Sequence, residues 1–382
     1  MKLNKKITAI IASLAVSAAA ALSFAGPANA AGEAANASLK MDPISGTLYK
    51  EAFKPVNWQV ATAITVPPGS PTIEPMKVAD IENPNGQLTF NPSSKMPVCA
   101  DSAIGPGLVS IPVEQAVAKC PNSIIGNGLA KFALAQSTAL PRDGVILLFN
   151  GGKQTTGPLK GQPRIKLYAY SYDTGVGLYT ESALSKTGQL NFAVPPLTAD
   201  SSVTSLNLNI PGKPESLYVV SKDITVNLPA GQDKNYAQAR CSGSAWAFKG
   251  TFQLGDRNTA GEDSGPTTTV DSTSSTPCTG AAGKAAFAGL KIKGPSSVKQ
   301  GKKGTFKVTV KNSGTATAKS IKVVASGKGA KGKGTTGNIA PGASRTVTVK
   351  VKFTKKGKVK VKFKATASKT RAKIGKKTVR VK

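Results

Sequence analysis

Cation and apolar residue alternate strictly through Lys358-Val359-Lys360-Val361-Lys362-Phe363-Lys364-Ala365. Period two is the pattern of a strand with one buried and one solvated face. The same alternation runs through Thr346-Val347-Thr348-Val349-Lys350-Val351-Lys352-Phe353, Thr305-Phe306-Lys307-Val308-Thr309-Val310-Lys311 and Lys377-Thr378-Val379-Arg380-Val381-Lys382. Asn312-Ser313-Gly314, Ala340-Pro341-Gly342 and Lys356-Gly357 interrupt it with turn chemistry. Strands are expected at 288–293, 304–312, 319–325, 344–353, 358–367 and 373–381, with a weaker seventh near 327–337. Six or seven short strands at this spacing predict an antiparallel β-sandwich.

Upstream the pattern is also β-like. Residues 58–66 alternate and stop at Pro67-Pro68-Gly69; 87–90 closes on Asn91-Pro92. Further runs lie at 129–135, 144–149, 164–170, 188–194, 203–210 and 224–228. Gly144-Val145-Ile146-Leu147-Leu148-Phe149 is apolar on both faces, so it predicts a central strand. Runs at 238–242 and 245–252 predict a terminal hairpin, and 113–118 a short helical turn. Residues 31–40 read as loose, and Gly126-Asn127-Gly128 as a turn. Segment 255–279 is polar and low in complexity, a loop by composition. With no long amphipathic helix, the chain reads as all-β: a body of one large or two small sandwiches, followed by a second sandwich.

Val310-Lys311-Asn312-Ser313-Gly314, then Ile339-Ala340-Pro341-Gly342 leading into Thr346-Val347-Thr348-Val349, resemble the bacterial Ig-like repeats of the CARDB type over about 288–382. The resemblance implies a seven-stranded Ig-like spacer or adhesion module with no catalytic residues, and the lysine excess departs from its typical member. In the body, Met96-Pro97-Val98-Cys99, then Cys120-Pro121-Asn122-Ser123-Ile124-Ile125-Gly126, with Cys241, Trp246 and Cys278, is similar to exported, disulfide-bonded β-rich proteins of high-GC Gram-positive bacteria. Those proteins have no assigned activity to carry over.

The charge is divided unevenly. Residues 281–382 hold 29 Lys and Arg and no Asp or Glu, where an ordinary domain would carry about 12 acids. All 19 acidic residues lie in 31–280, matched there by 19 basic ones. Such asymmetry between halves points to a polyanionic partner; the other reading is solubility and protection of edge strands.

Lys2, Lys5 and Lys6, the apolar run 7–25 and Ala28-Asn29-Ala30 predict a secretory signal peptide over 1–30. The expected organisation is therefore 1–30 signal, 31–280 disulfide-stapled body and 281–382 basic Ig-like sandwich. The mature protein would be secreted, free or held at the cell surface, with no transmembrane span.

Four cysteines in an exported chain predict two disulfides, by any of three connectivities. The sequence-local choice is Cys99–Cys120 and Cys241–Cys278. Zinc is disfavoured by the lack of any C-x-x-C and of any histidine. The missing histidine also removes Ser-His-Asp, Cys-His and His-metal chemistry, and no cofactor fingerprint is present. Two acidic residues could serve a glycosidase, but spacing selects no pair. Asp256, Glu262 and Asp263 offer oxygens for Ca²⁺ without EF-hand spacing. Tyr168 and Tyr170, on one strand face, read as core packing or as a sugar platform.

The sequence thus leads to a non-enzymatic extracellular or cell-surface protein. Its tail would hold an anionic envelope polymer, or another extracellular polyanion, electrostatically. The lysines expected to do so are Lys350, Lys352, Lys358, Lys360, Lys362, Lys364, Lys376 and Lys377. The ligand of 31–280 is not read from the sequence. The alternative is a carbohydrate-binding or carbohydrate-active protein with the tail as accessory module.

Overall fold

The computed structural model describes residues 32–70, 72–106, 110–137, 141–196, 201–258 and 260–382, so the segment read as a signal peptide lies outside the described residues. The body opens with β1 (Ala34–Pro43), β2 (Lys54–Thr65), β3 (Met76–Glu82) and β4 (Leu88–Phe90), followed by helix α1 (Val113–Lys119). Then come β5 (Ile124–Ala133), β6 (Pro141–Lys153), β7 (Pro163–Ser171), β8 (Val176–Ala183), β9 (Gln189–Ala193) and β10 (Ser202–Ile210). The rest is β11 (Glu215–Val219), β12 (Ile224–Leu228), β13 (Ala237–Ala239), β14 (Ala245–Leu254) and β15 (Thr268–Pro277).

Nine strands form one sheet in the order β4-β13-β2-β10-β5-β6-β7-β8, with β1 also on β2; four form a second, β15-β14-β3-β9. Ala37, Val60, Ile64, Ala79, Ile81, Ile146, Leu148, Leu167, Phe252 and Val270 from both sheets share a single core. The body is therefore one large sandwich. β6 is central, as its two-faced apolarity requires. Ile146 and Leu148 enter the inter-sheet core, while Val145, Leu147 and Phe149 face a second cluster with Ile104, Val113, Ala116, Val226 and Leu228. The Cys99–Cys120 segment with α1, and the β11–β12 hairpin, thus cover the outer face of the large sheet.

Several expectations are corrected. Residues 34–43 are a full strand paired to β2: the small Ala35 and Ala37 are core positions despite their bland composition. β13 and β14 are no hairpin, because β13 joins the large sheet and β14 the small one. Segment 268–277 is strand, paired along the whole of β14; its Val270 and Ser272 are the buried alternates of a Ser/Thr-rich strand. Gly126-Asn127-Gly128 lies inside β5. A Cβ at Gly128 would stand 2.1 Å from the Asn207 carbonyl oxygen, so glycine here admits the neighbouring strand rather than a turn. Strands β3, β8 and β11 had no legible alternation.

The C-terminal chain forms β16 (Phe287–Lys293), β17 (Ser297–Val298), β18 (Lys303–Asn312), β19 (Ile321–Gly327), β20 (Ala330–Thr336), β21 (Ser344–Phe353), β22 (Gly357–Ala367) and β23 (Thr370–Val381). They are hydrogen-bonded in the order β16-β18-β21-β20-β19-β22-β23-β17, and the sheet curls until β16 packs on β23. The inward alternates close a core of their own around Phe306, Phe353 and Phe363, whose rings pack at 5.2 and 6.3 Å between centroids. The weak seventh strand is real: glycine-rich β20 pairs β19 along its length and reaches β21 over Ala330–Lys333.

Candidate polyanion-binding surface

Because partners in register share a face, the strand pairing fixes where the lysines stand. Lys303 lies opposite Lys352, and Lys352 opposite Lys331. Lys331 faces Ser326, Ser326 faces Lys362, and Lys362 faces Lys376. This is one row crossing six strands, cationic at every position but one. Its neighbour runs Thr305, Lys350, Lys333, Val324, Lys364, Ile374 by the same pairings. With strands about 4.8 Å apart, the rows form a belt roughly 24 Å long around the outside of the curled sheet.

Lysines directly opposite each other repel, and cross-strand pairs of like charge destabilise a sheet. Lys293 with Lys307 and Lys358 with Arg380 add to the repulsion. The stretch 281–382 has no carboxylate side chain to relieve it, and every salt bridge found among the described residues lies in the body.

Of the residues expected from the sequence, Lys350, Lys352, Lys358, Lys360, Lys362, Lys364 and Lys376 are exposed on this outer surface. Lys377 is not on it: it pairs with the buried Val361, so it stands on the opposite, half-buried side of β23. The register adds Lys303, Lys331 and Lys333 to the lysines expected from the sequence. The last two sit among glycines, where alternation of cation with glycine gives no hydrophobic signal, and only the register places them beside Lys352 and Lys350.

The body holds its polar groups differently. Both disulfides are the sequence-local ones, Cys99–Cys120 and Cys241–Cys278. Tyr168 and Tyr170 are buried beneath the Cys99–Cys120 segment. The Tyr168 hydroxyl donates to the Ile111 carbonyl at 2.7 Å and accepts from the Ile111 N–H at 2.9 Å, so neither ring is a sugar platform. Lys166, fully enclosed, donates to the Ile104 carbonyl at 2.5 Å and pairs with Asp101 at 2.6 Å. The Lys166 hydrogen bond, with Arg164 nearby, holds the Asp101 carboxyl below its usual range against the opposing effect of burial. In the acidic loop, Asp263 pairs with Arg257 at 3.4 Å, and Glu262 accepts from the Asn258 amide at 2.9 Å.

Among the described residues, the hydrogen bonds between the two parts gather at one place. Ala281 bonds to Lys50 and Leu48 through backbone, and Glu51 accepts from the Thr317 N–H at 2.7 Å and from its hydroxyl. The two Thr317 bonds lower the Glu51 carboxyl pKa.

Among the described residues no helix is long and apolar enough to cross a membrane. No curated protein matches the chain. Among solved structures, the CARDB domain of a Pyrococcus furiosus protein, crystallised in complex with di-metal ions, is 23% identical over 25% of this chain and 86% of that one, with a TM-score of 0.21. Red sea bream transglutaminase is 8% identical, covering 91% of this chain and 31% of that one, with a TM-score of 0.23. The CARDB family model matches residues 288–370. The C-terminal module is an Ig-like domain of the CARDB type.

Proposed function

We propose that this is an exported, surface-associated protein whose C-terminal module, 281–382, holds it on an anionic envelope polymer or another extracellular polyanion. On this reading 1–30 is a signal peptide and 31–280 is a body with its own ligand. The observation that carries the proposal is the belt: lysines set in register across adjacent strands, with no acid in the module, are a repulsive arrangement that a polyanion relieves. Lysine rather than arginine suits diffuse attraction to a chain of charges over bidentate recognition of one group. Two disulfides and a CARDB-type module suit a chain that works outside the cell.

The test is retention of the full-length protein on washed envelopes and on a polyphosphate column across a salt gradient. Binding should weaken steeply with salt. Replacing Lys331, Lys350 and Lys352 together with Gln should reduce the slope of log K against log salt by about 2, at ~0.7 per charge on a single-stranded polyanion. Retention that ignores both salt and these substitutions would sink the proposal.

A further inference from the structure

The small sheet of the body contains a gap that its pairing leaves open. β14 is paired to β15 from Ala245 to Leu254, but to β3 only from Lys249 to Leu254. Over 245–248, one edge of β14 therefore has no strand beside it. The cause is local. After Glu82 the chain reads Asn83-Pro84-Asn85-Gly86, and proline, having no N–H, cannot continue a ladder. The Gln87 N–H closes a turn on the Pro84 carbonyl at 2.9 Å, with Gly86 at φ +62°. Asn83 is held away from β14 by Gly188 and by the Trp58 indole.

The gap opens into a cleft of about 640 Å³, bounded by the departing turn on one side and reaching across β14 to Thr273 of β15 on the other. In size it falls within the range of ligand sites. Asn85, Gln87 and Gln189 line it, with Glu82 and Lys249, the last pair before β3 leaves β14. The Gln87 side-chain oxygen accepts from the Ser242 N–H and the Gln189 side-chain nitrogen donates to Asp80, which leaves the Gln87 Nε2 and the Gln189 Oε1 for a ligand.

We infer that this slot binds an extended peptide segment of about four residues, which adds to the free edge of β14 where β3 leaves the sheet. An unpaired strand edge presents N–H and C=O groups at the peptide repeat and is a template for another chain. Recessed in a cleft, it admits a single short strand rather than open-ended pairing. Side-chain amides, donor and acceptor at once, match the same repeat. A saccharide is the poorer match, since Trp246 and Phe248 are buried and offer no stacking face. The site is separate from the lysine belt.

The test is selection of a randomised hexapeptide library on the full-length protein in 0.5 M salt. Counter-selection uses Asn85→Trp and Gln189→Trp, which fill the slot. Unchanged melting temperature and polyanion retention show that these variants are folded. The expected result is peptides that lose at least tenfold in affinity on either variant, and again when alternate backbone nitrogens are N-methylated. The inference is overturned if no sequence is enriched over the filled variants, if N-methylation leaves binding intact, or if a neutral oligosaccharide binds at the slot in place of peptide.

Discussion

Lys166 has no exposed surface, yet it carries an ammonium whose partners, Asp101 and the Ile104 carbonyl, both belong to the segment covering the large sheet. It is the pin of that cover. Asp101→Ala would leave a buried charge with one acceptor and should cost about 1–2 kcal/mol, since Asp101 itself is partly in water. Lys166→Met, which removes the charge with its need for a partner, should be close to neutral. Urea titration of the two variants checks this, and a larger loss in Lys166→Met would refute it. The pin is also acid-sensitive. The folded-state pKa of Asp101 is depressed, so its contribution is complete above the unfolded value of about 3.9 and fades as pH falls through the lower folded value. None of this was legible in the sequence, where Lys166 alternates like any strand lysine. Its burial comes from a segment about 60 residues upstream folding over it.

Among the elements, legibility followed the contrast between the two faces of a strand. The module strands alternate lysine with valine or phenylalanine and were placed to within about three residues, short β17 excepted; the two-faced apolar run 144–149 marked the centre of β6, whose polar ends, 141–143 and 150–153, carried no such signal. β1 and β15 were missed because alanine, serine and threonine fill both faces. What identifies them is pairing: β1 on β2, β15 on β14, and Ser272 donating no alternation but accepting the Ala37 N–H at 2.8 Å. The disulfide choice was legible because loop closure is local, with separations of 21 and 37 residues. Each bridge is worth roughly 3–4 kcal/mol in the loop-entropy picture. Replacing both Cys241 and Cys278 with Ser should therefore lower stability by that order and raise hydrogen exchange first in β15, the edge strand that follows the bridge back along β14. Uniform loosening of the whole body would contradict this placement.

For the molecule as a whole, Glu51 is, among the described residues, the acidic side chain that hydrogen-bonds to the basic module. Its lowered pKa means that the bond to Thr317 is present above about pH 4 and is lost as pH falls through the folded value. The backbone bonds of Ala281 to Lys50 and Leu48 do not titrate. Acid should thus lower the protection factor of the Thr317 amide, taken against its intrinsic rate at each pH, while Ala281 stays protected, and Glu51→Gln should weaken the protection of Thr317 at neutral pH. Loss of both signals together would mean that the contact opens as one unit.

The belt offers a row of charges and no single pocket. Lysine faces outward on five of its six strands, so a polyanion held there has several seats of similar energy and none that is deep. On the proposed reading, attachment is degenerate. The protein would stay on its polymer by moving among neighbouring registers, sliding and turning without release, and the body would sweep a volume around the strand that carries it.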